Sequence, residues 1–229
     1  MIHEEDHHRM TTTATSTASH PYLDGPPKQV PGFASLHRMV GLLLAEQAPS
    51  DARILVLGAG GGMEIDALAR EQSTWRFDGV DPSRDMLALA EQTVRPHQGR
   101  VALHEGRIDA APPGPFDGAT SLLVFHFIPH AQKLATLRAV RQRLRAGAPF
   151  VVVHISIPSA EPERSLWLSR HLAFAGTPAA SAGTSQQAMQ SQLAILSPEE
   201  DEARLREAGF QRVALFYAGL SFRGWVGYA

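Results

Sequence analysis

The chain has 229 residues, 44% apolar and 19% charged, which is enough to bury one sizeable core. Its formal net charge of -2 argues against a protein that grips nucleic-acid backbones across its surface, and none is expected as a partner. With no cysteine, disulfides, thiolate metal sites and a cysteine nucleophile are all excluded.

Residues 1–21 mix acids, histidines and a Thr/Ser run with almost no apolar content, and read as a disordered, solvated tail. His3, His7 and His8 beside Glu4, Glu5 and Asp6 are ligand types for a metal, but without a scaffold they have no fixed geometry. No basic segment with an apolar core opens the chain and no apolar run reaches membrane length, so a cytoplasmic protein with no membrane contact is expected. Residues 22–33, rich in Pro and Gly, predict an extended lead-in. A helix follows over 33–47, with Leu36, Met39, Val40, Leu43 and Leu44 on one face.

From residue 53 the chain alternates strand and helix signals. Strands are predicted at 54–57, 75–80, 100–104, 117–125 and 149–155, and helices at 62–70, at 83–93 with Ser83 as N-cap, and at 132–145, stopped by Gly147. Residues 158–197 have weaker periodicity and a small-residue run, and read as an insertion or lid. A last helix starts at Ser197-Pro198-Glu199-Glu200, and 212–217 with 221–228 form a hairpin around Gly219. The implied fold is one α/β domain over 22–229, Rossmann-like and doubly wound, whose mostly parallel sheet of about seven strands ends in an antiparallel hairpin.

The chemistry begins at Gly58-Ala59-Gly60-Gly61-Gly62, a glycine turn between a strand and a helix, where a ligand must approach bare backbone. Asp81, 21 residues beyond Gly60 at the end of the next strand, is placed to accept hydrogen bonds from ribose hydroxyls. Together they point to an adenosine-containing cofactor. A dinucleotide fingerprint needs a third Gly or Ala where this chain has Met63, which disfavours an NAD-dependent oxidoreductase.

The segments ILVLGAGGG, GVDPS, HEGRIDA, FDGATSLLVFHFIP and LRAGAPFVVV resemble, in order, the successive motifs of class I S-adenosylmethionine-dependent methyltransferases. The flanks, QVPGFASLHRMVGLLL and 197–229, are similar to the small-molecule branch that includes carboxy-S-adenosylmethionine synthases. The resemblance implies S-adenosyl-L-methionine as cofactor and S-adenosyl-L-homocysteine as product. Gly58, Ala59 and Gly60 would face the methionine part and Asp81 the ribose. Pro82 and Met86 would flank the adenine on one side, Arg107 and Ile108 would border it on the other, and the Leu122 main chain would lie near the ammonium. The family's usual acid in the first strand is Val56 here, its later aspartate is Arg107, and a common polar residue of the fourth motif is Leu122.

The implied activity is methyl transfer to a small-molecule acceptor. His126, just beyond the fourth strand, is the candidate base, with a histidine satisfied in the core as the competing reading. His37, Trp167 and Tyr217 are candidate acceptor contacts. Phe125-His126-Phe127-Ile128-Pro129 stands where a metal-dependent O-methyltransferase needs Asp or Asn ligands, so no metal is expected. Synthesis or use of carboxy-S-adenosylmethionine is an alternative. It needs a cation for the added carboxylate, but residues 183–196 hold no Lys or Arg, leaving Arg223 or Arg164 as substitutes. A non-catalytic cofactor-binding protein is the other alternative.

Overall fold

The computed structural model describes residues 21–229, so the N-terminal histidine and acid cluster lies outside the described residues. The first element corrects the expected lead-in: Pro21–Gln29 is a helix, α1, despite Pro26 and Pro27 within it. Two prolines remove two N–H donors, so local propensity opposes this turn of chain. Tertiary contact holds it. Leu23 and Tyr22 cover the glycine turn so closely that a Cβ on Gly61 would lie 3.0 and 3.1 Å from their side chains, and the Val30 N–H donates back to the Pro26 carbonyl.

The chain continues through α2 (Phe33–Ala45), β1 (Arg53–Leu57), α3 (Met63–Glu71), β2 (Arg76–Asp81), α4 (Arg84–Thr93), β3 (Val101–Glu105), β4 (Gly118–Leu122), α5 (His130–Arg143) and β5 (Pro149–Ile155). Then come α6 (Glu163–Phe174), α7 (Ala179–Gln192), α8 (Pro198–Glu207), β6 (Gln211–Gly219) and β7 (Phe222–Tyr228). The seven strands form one sheet in the order β3-β2-β1-β4-β5-β7-β6. The first five are mutually parallel, β7 runs antiparallel to β5, and β6 pairs antiparallel with β7, giving the doubly wound sheet with its terminal hairpin.

Both faces of the sheet are covered. Ile54 and Val56 of β1 join Val151 and Val153 of β5 in one core, while Leu55 and Leu57 join Phe150 and Val152 in the other. This alternation explains why the central strands read as continuous apolar runs. β4 is shorter than the pattern 117–125 predicts. Leu123 takes a left-handed backbone (φ +63°) as its N–H donates to the Val153 carbonyl at 2.6 Å, and Phe125–Phe127 forms a 3₁₀ turn. The segment 158–197 carries α6 and α7, and α6 buries Leu168, His171 and Leu172.

Two helix starts are set by serine side chains. Ser83 accepts from the Met86 N–H at 3.3 Å, and Ser197 with Glu200 forms a reciprocal capping box at 3.3 and 2.8 Å. Ser197→Ala is expected to cost about 1 kcal/mol, lowering Tm by about 2–4 °C in a chain of this size, as read by thermal and urea unfolding.

Candidate functional site

The winding of the sheet reverses between β1 and β4, and a crevice opens at their carboxyl ends. One carboxylate organises it. Asp81 accepts from the Gly60 N–H through Oδ2 and from the Ser83 N–H through Oδ1, each at 2.9 Å, while its carbonyl accepts from the Gly106 N–H. Each carboxylate oxygen keeps a lone pair, so the anchored group still has capacity for two ligand hydroxyls.

Gly58 forms the floor. Its φ is +84°, and a Cβ there would lie 2.1 Å from Val124 Cγ2, so only glycine fits beneath the loop after β4. On one side of Gly58 is a cavity of about 180 Å³ lined by Pro82, Arg107, Ile108, Phe127, Ile128 and Gln132 among others. On the other is a narrower space of about 40 Å³, bounded by the glycine turn together with Tyr22, Phe33, His37, Glu64 and Leu122. An elongated ligand with a flat ring at one end and a short polar chain at the other suits this shape.

The structure therefore brings Gly58, Ala59, Gly60, Leu122 and His37 to the narrow half, and Pro82, Arg107 and Ile108 to the broad half. Arg107 is held by a 3.0 Å bond from its guanidinium to Gln132 Oε1. Met86 lines neither half; it sits in the first turn of α4, its N–H taken by Ser83. Burial holds the His37 imidazole down to about 4, so it is neutral near pH 7, with its ring edge-on to Phe33 at 4.5 Å.

Three candidates are placed differently from expectation. The Tyr217 hydroxyl donates to the Pro31 carbonyl at 2.6 Å, tethering the connection between α1 and α2, and is not offered to a pocket. Trp167 packs against the core with the Arg170 and Arg223 guanidinium groups over its ring at 4.6 and 5.5 Å, outside both halves of the crevice. His126 is buried, and its Nδ1 accepts from the Ile155 N–H at 3.3 Å. Burial, followed by the nearby His154, Lys133 and His171, holds its pKa well below the ordinary histidine range. The neutral ring thus carries its proton on Nε2, as a donor, which corrects the expected base to the competing reading of a satisfied core histidine.

Behind this turn lies a polar cluster that periodicity does not reveal. Lys133, only 2% exposed, donates to the Phe125 carbonyl. Burial lowers its pKa to about 8, opposed by the attraction of Asp201. His154 Nε2 lies 3.0 Å from Asp201 Oδ2 without hydrogen-bond alignment. These groups pin the 3₁₀ turn and α8 behind the crevice.

Sequence reasoning also missed Glu64. It stands in the first turn of α3, and its signal was available: it lies four residues before Leu68, on the helix stripe that faces the core. Its Oε1 is buried without a hydrogen-bond partner. Burial pushes the carboxyl up to about 8, with the Thr120 hydroxyl opposing. Thr120 pairs in register with Val56, so Glu64 brings a carboxyl to the level of the first-strand position that lacks one. Tyr22 closes the same space, its hydroxyl 2.7 Å from where a Gly60 Cβ would be. Among the described residues no group of three or more His, Cys, Asp or Glu could hold a metal, and no helix is long and apolar enough to cross a membrane.

Comparison with known proteins shows what the chain is similar to. Residues 55–150 match the family described as a methyltransferase domain. The carboxy-S-adenosyl-L-methionine synthase of Dichelobacter nodosus is 26% identical over 208 residues, covering 87% of this chain and 84% of its own. A candidate O-methyltransferase of Nostoc punctiforme PCC 73102 superposes with a TM-score of 0.65 at 19% identity, covering 87% of this chain and 57% of its own. Human N-acetylserotonin methyltransferase, solved with S-adenosylmethionine, gives a TM-score of 0.58 at 15% identity, covering 86% and 54%. The chain thus spans little more than half the length of these two solved structures.

Gly58→Ala is expected to destabilise the protein by about 1–3 kcal/mol, since the added methyl must displace Val124 from a packed position. Urea unfolding checks this; an unchanged midpoint would mean that the crevice floor is not packed as described.

Proposed function

As the chain belongs to the class I S-adenosylmethionine-dependent methyltransferase superfamily, we propose that it transfers a methyl group from S-adenosyl-L-methionine to a small-molecule acceptor, releasing S-adenosyl-L-homocysteine. The observation that carries this reading is the crevice divided at Gly58, with a ring-sized cavity on one side, a narrow space bordered by Glu64 and His37 on the other, and Asp81 tied to Gly60 of the turn.

The residues present fit the cofactor. The bare backbone at Gly58 and Gly60 admits close approach, and the free lone pairs of Asp81 suit the ribose hydroxyls. Pro82 and Ile108 would border the adenine, with Arg107 at its edge, and the Leu122 main chain would face the amino-acid end. When bound, S-adenosylmethionine supplies an electrophilic methyl carbon on a sulfonium. The chain's task is then to orient an acceptor in line with that carbon and to exclude water. Tyr22 and α1 serve exclusion by covering the glycine turn. With its ring buried and Nδ1 engaged by Ile155, His126 serves this reading by fixing the turn after β4, and an acceptor proton leaves to solvent.

The relatives named carboxy-S-adenosyl-L-methionine synthases support a second reading, in which the chain makes or uses that carboxylated cofactor. It ranks second because α7 contains no Lys or Arg, and the Arg223 guanidinium already donates to the Leu220 and Phe222 carbonyls.

Parallel calorimetric titration with S-adenosylmethionine, S-adenosylhomocysteine and NAD is the test. One-site binding of the first two without NAD is the expected result, and NAD binding alone would overturn the reading. Asp81→Ala should weaken cofactor binding by about 1.5–3 kcal/mol, because a charge-assisted pair is lost and the glycine turn loses its tie. Unchanged affinity would place the ribose elsewhere.

A further inference from the structure

The narrow half of the crevice is bordered by one carboxyl with an unsatisfied oxygen. Glu64 is buried at the foot of α3, it borders the space beside the glycine turn, and its Oε1 makes no hydrogen bond. A buried carboxyl oxygen without a partner is costly unless a ligand completes it. The groups around it bring no compensating cation. Tyr22 on α1 is held neutral by burial and then by Asp81, His37 on α2 is neutral near pH 7, and Thr120 on β4 offers a hydroxyl. At the end of β2, the Asp81 carboxylate, which accepts from Gly60 and Ser83, is itself an anion and adds no positive charge. No Lys or Arg lines this space among the described residues. The pocket is therefore shaped for a ligand that brings its own positive charge.

We propose that Glu64 is the anionic partner of the ligand's cationic end, and that it enters this role by surrendering its own proton to solvent as that charge arrives. The proposal rests on the cofactor reading above: S-adenosylmethionine carries an ammonium and a sulfonium at the end that would lie beside the glycine turn. In the free protein the carboxyl, pushed up to about 8 by burial, is protonated near neutral pH. Cofactor binding is then linked to proton release. Affinity should rise by about tenfold per pH unit below pH 7 and level off above pH 8.

The test is calorimetry of the full chain with S-adenosylmethionine at pH 7 in phosphate and in Tris, whose ionisation enthalpies differ. The dependence of apparent enthalpy on buffer should report release of about nine-tenths of a proton per ligand bound. Glu64→Gln should abolish this release. At pH 8 it should weaken S-adenosylmethionine roughly tenfold or more, while leaving 5′-methylthioadenosine, which lacks the amino-acid end, unaffected. An equal loss for S-adenosylhomocysteine assigns the contact to the ammonium, and a loss confined to S-adenosylmethionine assigns it to the sulfonium. In the free protein, a raised carboxyl contributes stability below the ordinary carboxylate range that is lost as pH rises through about 8, so Glu64→Gln should also flatten the fall of Tm between pH 5 and 8. Tight binding without proton release by the wild-type chain would overturn the role of Glu64 while leaving the cofactor reading intact, and this result needs no variant to fold. Absence of binding by S-adenosylmethionine and S-adenosylhomocysteine would overturn the cofactor reading and this proposal with it.

Discussion

The Asp81 carboxylate ties together three segments that the chain delivers separately. Its two oxygens hold the Gly60 N–H of the glycine turn and the Ser83 N–H that opens α4, and its carbonyl holds Gly106 after β3. A turn of glycines has the largest backbone entropy to lose, so it does not hold one shape by itself. A buried, charge-assisted acceptor supplies the missing constraint. The Gly58 and Ala59 N–H groups, both donating to the Val80 carbonyl, complete the tie between the ends of β1 and β2. The site is thus shaped before a ligand arrives, and the acid that would meet the ribose is the same one that holds the turn.

Cover over this floor comes from the beginning of the described chain. Val30 is buried in the core, and the Tyr217 hydroxyl from the far hairpin clamps the Pro31 carbonyl. These contacts place Tyr22 and Leu23 against the glycine turn. A helix carrying two prolines survives because the contacts of Tyr22 and Leu23 with the glycine turn and the burial of Val30 just after it offset the lost hydrogen bonds. The terminal hairpin thereby has a second purpose. Besides closing the sheet with β7 on β5, it fixes how closely α1 can approach the crevice.

Polar burial behind the site follows another logic. Lys133, Asp201 and His154 are each costly to remove from water, and a hydrophobic trio would stabilise the fold as well or better. What the polar set adds is position: Lys133 binds the Phe125 carbonyl, and Ile155 donates to His126, so the turn after β4 has one arrangement. Leu123, in a left-handed conformation rare for a side chain of its size, sits at the start of that turn. Backbone strain next to a crevice is tolerated where the surroundings overdetermine it, as here.

The sequence by itself determined the sheet, its order of strand and helix, and the glycine turn and strand-end acid that frame the crevice. Those features rest on local chemistry: apolar runs that need cover on both faces, glycine where a side chain cannot fit, serine at helix starts, and an acid at a strand end. The tertiary structure alone decided the rest, because each remaining feature depends on a partner distant in the chain. Residues 22–33 read as extended until the glycine turn is set beneath them. Tyr217 read as a pocket residue until Pro31, 186 positions away, took its hydroxyl. His126 read as a base until the Ile155 N–H claimed Nδ1, and Glu64 went unnoticed until the fold buried it beside Thr120. Periodicity reports which side of an element faces inward. It does not report which atom waits there, and for the polar groups of this site that atom decides protonation and role.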